Sequence, residues 1–251
     1  MKNLLRLFLP GMLCLNLAAV AQPGPPRGPQ FNGAMNKLFG DNQSFSATLE
    51  VQTTDPRGGT MTMPGKITFD SGKSRFEMDM TQAKGGPMPP DAAAQMKAMG
   101  MDRTVMIGRP DKKAAYMVFP GMQSYVENPL TDSETATAPA DFKVETTELG
   151  KETVDGHPCV KNKVIVTDKD GTPHESTVWN ATDLKDFPVK IQTSEQGREM
   201  TMLYKDVANS KPDASVFEPP SGYTKYDSMP AMMQAIMMKR IGGGGGMPFG
   251  N

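Results

Sequence analysis

Apolar and polar residues alternate along most of the chain. Phe45, Ala47, Leu49 and Val51 fall at every second position between polar neighbours, the period of a strand with one buried face. The same pattern predicts strands over 61–69 and 73–80, joined as a hairpin at Asp70-Ser71-Gly72. Further strands are predicted at 103–108, 114–119, 123–127, 142–149, 159–167, 175–179, 189–194 and 200–206. Trp179, the single tryptophan, is expected in the main core beside the strand that carries Val164 and Val166. Consecutive strands joined mainly by short turns define a mainly β fold, an antiparallel sheet or open barrel.

Helical signals are few. Residues 31–39 read as a short helix ended by Gly40, and Asp91 caps an Ala- and Met-rich helix ending at Gly100. Breaker residues fill 84–90, and 129–140 is a polar connection. Near the end, Ser228 is an N-cap with Pro230 in the first turn. Met229, Met232, Met233, Ile236 and Met237 then share one helical face, with Lys239 and Arg240 favouring the dipole of the last turn. A glycine run over 242–246 closes the helix; no strand leads into it, so it is not a phosphate loop. The chain divides into a leader (1–21), a Pro/Gly-rich lead-in with a short helix (22–40), one β-rich domain (41–227) and a Met-rich helix with a Gly-rich tail (228–251).

The leader has Lys2 and Arg6 ahead of an apolar run over 7–20, and Ala19-Val20-Ala21 supplies the small-x-small cleavage pattern. This is a secretory signal, with Gln22 as the expected first mature residue and the periplasm as the expected location. The run contains Pro10 and Gly11 and falls short of the roughly 20 residues of a membrane span, so no transmembrane segment is expected after cleavage. Leu13 ahead of Cys14 is not the small residue that lipid anchoring needs. Of the two cysteines only Cys159 then remains, which leaves no internal disulfide. The whole chain carries 27 basic and 28 acidic residues, so it lacks the basic surplus of a nucleic-acid binder.

Signatures of chemistry are scarce. No G-x-S-x-G elbow occurs, and Ser71-Gly72-Lys73-Ser74 lacks the earlier glycine of a phosphate-cradling loop. His157-Pro158-Cys159 and His174 invite a metal reading. A two-residue turn at Asp170-Gly171, however, sets His174 opposite Thr167, about 26 Å from Cys159 at roughly 3.3 Å per residue. No catalytic residue, metal site or cofactor is therefore expected, and Cys159 reads as a small buried hydrophobe.

The chain has 22 methionines; 20 remain without Met1 and Met12 of the leader. Met61/Met63, Met78/Met80 and Met200/Met202 are strand pairs whose members share a face. Three readings compete: adaptable core packing, a re-packable groove for an apolar ligand, and Cu(I) binding by thioethers. Scarcity of His and Cys makes copper the weakest of them. The candidate groove residues are Phe76, Met78, Met80, Met200, Met202, Tyr204, Met233 and Met237.

A family resemblance rests on the second half. Residues 152–159, Val164-Ile165-Val166, the Asp170-Gly171 turn, Val178-Trp179 and Pro188-Val189-Lys190 together resemble the bacterial periplasmic family called domain of unknown function 4412. The closing Phe217-Glu218-Pro219-Pro220-Ser221-Gly222-Tyr223 is also similar to the wider LolA-like group of outer-membrane lipoprotein carriers. The resemblance implies a curved antiparallel sheet, an incomplete barrel with a few short helices over its concave face. In the carriers that face holds acyl chains. The Met-rich insertion at 84–101 and the Met-rich tail helix depart from the carriers.

The expected function is an exported, non-enzymatic binding module that holds a lipid, a lipoprotein or another apolar ligand. One alternative is an envelope structural or interaction protein without a small ligand, and another is Met-based Cu(I) or oxidant buffering. The tail helix is expected to dock near Met78, Met80, Met200 and Met202, as a lid or as permanent core.

Overall fold

The computed structural model describes residues 33–54, 56, 59–86, 91–135, 141–195 and 197–242. The leader, the Pro/Gly-rich stretch before Gly33 and the glycine run beyond Gly242 lie outside these residues. Alternating sequence becomes strand throughout: β1 (Ser44–Thr54), β2 (Thr60–Asp70), β3 (Lys73–Asp79), β4 (Lys84–Gly85), β5 (Arg103–Arg109), β6 (Ala114–Phe119) and β7 (Ser124–Pro129). There follow β8 (Phe142–Val154), β9 (His157–Asp168), β10 (Pro173–Ala181), β11 (Phe187–Glu195), β12 (Arg198–Ala208) and β13 (Thr224–Tyr226). Helices are short: α1 (Gly33–Lys37), α2 (Ala92–Met99), α3 (Asp132–Thr135) and α4 (Met229–Gly242).

All thirteen strands join one sheet, ordered β13-β7-β6-β5-β3-β2-β1-β12-β11-β10-β9-β8, with β4 added beside β2. Every pairing is antiparallel except β13 with β7. The sheet stays open, with β13 and β8 at its edges.

Burial alternates along β1, where Phe45, Ala47, Leu49 and Val51 are all buried. Register carries that face to Ile67 and Phe69 on β2, Phe76 on β3, and Met202 and Tyr204 on β12. Phe39, in the turn after α1, drops its ring onto the same face. Its centroid lies 4.9 Å from Phe45, 5.5 Å from Phe69, 5.9 Å from Phe187 and 5.7 Å from Tyr204. Phe69 and Phe187 therefore approach more closely than the roughly 14 Å that three strand spacings impose on a flat sheet. The face is concave, and this half of it is filled. Ala34 and Leu38 complete the cover, so the segment before β1 is part of the core.

On the opposite face the segment between β12 and β13 crosses β3 and β5. Phe217 is buried there against Val105, Ile107 and Val118. Arg75 donates to the Val216 carbonyl at 3.0 Å, and Arg109 donates to the Phe217 carbonyl while pairing with Asp111 and Glu218. That crossing delivers β13 to the free edge of β7. Ion pairs such as Lys163–Glu175 and Lys205–Glu50 cover more of this face. Trp179 points to it too, being paired with Lys161 and Lys190, whose ammonium groups lie 5.0 and 4.2 Å from its ring. Its indole donates to Glu152 and it is buried, while the neighbouring Val178 is buried on the concave side; β10 is packed on both faces here.

Four local expectations change, the first being that Asp91 precedes α2 without a side-chain capping hydrogen bond. The β9–β10 turn pairs His174 with Val166, not Thr167. Asp168 accepts the N–H groups of Asp170 and Thr172, and Gly171 takes φ +81°, so a three-residue loop replaces the expected two-residue turn. Within the polar connection, Thr131 and Glu134 form a reciprocal capping box that winds α3. Finally, α4 docks farther along the concave face than expected, over β7 and β13 instead of beside Met78 and Met200. Only two residues separate β13 from α4, which confines the helix to that edge.

Candidate functional site

Beyond the filled half, the concave face changes from phenylalanine to methionine. Met200 and Met202 on β12 flank Thr53 and Val51 of β1, which pair in turn with Met61 and Met63 of β2. Met78 on β3 sits opposite Gly65, one step along from Met63. Met106 on β5 pairs with Phe76 on one side and Met117 of β6 on the other. The result is a diagonal thioether band from β12 to β6, about 24 Å across five strand spacings. Met202 is buried and the other band methionines are half-buried, so the surface is apolar without being sealed.

Gly65 lets the band pass between β2 and β3. A Cβ on Gly65 would meet the Glu77 carbonyl oxygen at 2.5 Å and the Phe76 ring at 2.7 Å. Glycine there lets Phe76 lie down across β2. Met80 leaves the strand for a tight turn that Asp79 caps through the Thr81 N–H, and β4 then folds back against Met61.

At the far end the band runs into a second cluster. Met117, Met122, Phe119 and Val126 receive Met229, Met232, Met233 and Ile236 of α4. Ser228 caps α4 through the Ala231 N–H, as the sequence predicts. Beside this contact lies a cavity of about 360 Å³ whose walls include Met99, Met122, Ser124, Thr224, Tyr226 and Ile236. Its size falls in the small-ligand range. Gly100, at φ +74°, and Gly121 touch backbone to backbone, which seats the end of α2 at its rim.

The eight candidate residues thus do not form one site. Phe76, Met202 and Tyr204 are buried within the main cluster, and Met78 and Met200 pack at its edge. Met80 lies in the turn after β3. Met233 belongs to the α4 contact, and Met237 is 52% exposed. Met61, Met63, Met106 and Met117 complete the band. Met61 and Met63 were visible as a strand pair, whereas Met106 and Met117 stand alone in sequence and only register joins them.

Ionisable groups contribute little chemistry here. The Tyr204 hydroxyl, fully buried, donates to the Met202 sulfur at 3.7 Å, and burial pushes it far above an ordinary phenol. Burial also raises the Cys159 thiol, opposing the reactive thiolate, and its S–H donates to the His157 carbonyl. His157 pairs with Asp183 and His174 with Asp168, at separate ends of the β9–β10 hairpin. Among the described residues no group of three or more His, Cys, Asp or Glu is placed to hold a metal ion, and no helix is long and apolar enough to cross a membrane.

Fold and surface together define an open-sheet β protein with a methionine-lined concave face. The family model described as domain of unknown function DUF4412 matches residues 45–187, more than half of the chain. The protein belongs to that family.

No curated protein matches the sequence. Among solved structures, the chain is similar to a LolA superfamily protein from Nitrosomonas europaea, at 10% identity over 75% of this chain and 96% of that one, with a TM-score of 0.38. It is similar also to the lipoprotein LppX from Mycobacterium tuberculosis, at 10% identity over 72% and 96%, with a TM-score of 0.41. LprF from Mycobacterium bovis aligns at 12% identity over 76% and 95%, with a TM-score of 0.39.

Proposed function

We propose that this protein is exported to the periplasm and holds an apolar, lipid-like ligand against the methionine band, without catalysing a reaction. The band itself is the observation that carries this reading: thioethers from five strands, most of them half-buried and bridged by Val51 and Thr53 of β1, run side by side on a concave face. A soluble fold gains nothing from leaving so much apolar surface half open unless something covers it. Thioether chains re-pack around different shapes, which suits an alkyl ligand without fixed geometry. The filled half around Phe39 favours the alternative, an envelope interaction protein that binds nothing small.

Two measurements separate the readings. Native mass spectrometry of protein purified from its own envelope should show a co-purifying lipid. A fluorescent fatty acid should bind the purified protein, and Met78→Asp or Met106→Asp should weaken it tenfold or more, because a carboxylate buried under an alkyl chain is unpaired. Thr177→Asp, on the opposite face, is the control. Absence of any co-purifying lipid, with probe binding equal in all variants, would favour the interaction protein.

A further inference from the structure

We propose that the docking face of α4 is a methionine-oxidation site: peroxide oxidation of Met229 and Met233 releases the helix from the sheet. The inference stands on how α4 is held, whatever ligand the concave face carries.

The contact is unusual in its chemistry. Met229, Met232 and Met233 of α4 pack on Met117 and Met122, with Phe119, Val126, Tyr226 and Ile236 around them. Five thioethers thus lie in one interface, and nearly every helix side chain that holds α4 down is oxidisable. Met232 is fully buried, but Met229 and Met233 are half-buried at the margin, where a small oxidant can reach them. A 14-residue helix is marginal by itself, so its order depends on this contact.

The step balances simply. A lone pair of the thioether sulfur attacks one oxygen of a hydroperoxide and the O–O bond breaks. An S–O bond forms, and water or an alcohol leaves after proton transfer. Sulfur is oxidised by two electrons and the peroxide is reduced by two. The product is a polar, chiral sulfoxide in place of a flexible apolar group. Burying such a group among Phe119, Val126 and Met117 without a matched donor shifts docking toward release by roughly ten- to a hundredfold per sulfoxide. With α4 gone, the cavity loses its Ile236 wall and the far end of the methionine band is uncovered.

The helix also carries its own control. Met237 and Met238 are 52% and 66% exposed and lie outside the buried contact, so they should oxidise first and change nothing. The test treats the full chain with graded hydrogen peroxide. Sulfoxides are mapped by peptide mass spectrometry, and docking is followed by hydrogen exchange across 229–238. Wild type and M237L/M238L should lose protection in step with oxidation at 229 and 233, and methionine sulfoxide reductases should restore it. M229L/M233L should stay protected at doses that oxidise Met237 and Met238 while Met117 and Met122 are still unmodified by mass spectrometry. The single variants M229L and M233L, each expected to be intermediate, replace the pair if the double variant is unprotected before treatment. The proposal fails if 229 and 233 resist oxidation, if α4 stays protected once they are oxidised, or if the leucine variants open as readily as wild type.

Discussion

Phe39→Ala is the sharpest test of how the concave face is filled. Phe39 precedes the first strand, in a segment whose local sequence marks only a short helix, yet it is 1% exposed. Four aromatic centroids lie within 5.9 Å of its ring, from β1, β2, β11 and β12. Phe→Ala in a core typically costs about 3–5 kcal/mol, the transfer loss plus the cavity left behind. Aromatic pairs are worth about 0.5–1.5 kcal/mol beyond area, and four of them meet here, so the upper half of the range is expected. For a domain of this size that corresponds to a fall in Tm of very roughly 6–20 °C. Urea unfolding followed by Trp179 fluorescence measures it, since Trp179 sits on the far face and reports global unfolding. Phe39→Leu, which keeps most of the volume, should lose much less. A loss for Phe39→Ala below about 1 kcal/mol, no more than an average substitution, would show that the segment before β1 is an appendage and that the concave core closes without it.

Gly121→Ala should loosen α2 specifically. Its Cβ would meet the Gly100 carbonyl oxygen at 2.6 Å, and overpacking of that kind costs about 1–3 kcal/mol. Hydrogen exchange should rise across 92–99 while β1 and β12 keep their protection; unchanged exchange in α2 would mean the contact does not hold it. Asp70 links the β2–β3 turn to β1, accepting from Ser44 at 2.7 Å and pairing with Lys73 at 2.8 Å. The Lys73 interaction leads in holding its carboxyl below the usual value near 3.8, against the opposing effect of burial. A depressed folded pKa adds stability above the unfolded pKa that is lost as pH falls through the folded one. Asp70→Asn should therefore cost about 1–3 kcal/mol at pH 7 and flatten the fall in stability below about pH 4. Parallel wild-type and variant curves below pH 4 would assign the acid sensitivity to other carboxylates.

The strands were legible because burial on one face writes a period of two, and β1, with four buried residues in alternate positions, shows it in full. Part of the methionine band was legible for the same reason: Met61/Met63 and Met200/Met202 are strand pairs before any fold is known, whereas Met80, read as the partner of Met78, leaves β3 for the following turn. What escaped lacks a period. Met106 and Met117 are brought together by the β5–β6 register, and no local feature of either residue foretells it. Three-residue β13 pairs in parallel with β7 only because Phe217 and the Arg75 and Arg109 clamps carry the chain across the opposite face first. Placement of α4 follows from that crossing, so its apolar stripe predicted a docking face without predicting where it lands. The β9–β10 turn shifted by one residue because the Asp168 carboxylate competes for backbone N–H groups, a side-chain effect that the Asp170-Gly171 signal does not contain.

The division of the concave face between aromatic and thioether side chains has a physical logic. Around Phe39 the rings have stiff, specific geometry, two of them edge-on to Phe45 at 82°, and such packing fixes one arrangement. Toward β3, β5 and β6 the same face is given to unbranched chains with three rotatable bonds, which lose little when a neighbour moves. Leucine there would be as apolar and better at specifying a single core. Methionine gives up that specification at positions that are only half-buried. The exchange suits the ligand-holding role proposed for this surface, where contacts would change as a ligand comes and goes. A face meant to stay permanently closed would gain nothing from it. The filled half supplies the rigidity against which the adaptable half can re-pack, and α4, held by Met229, Met232 and Met233 together with Ile236, belongs to the adaptable half.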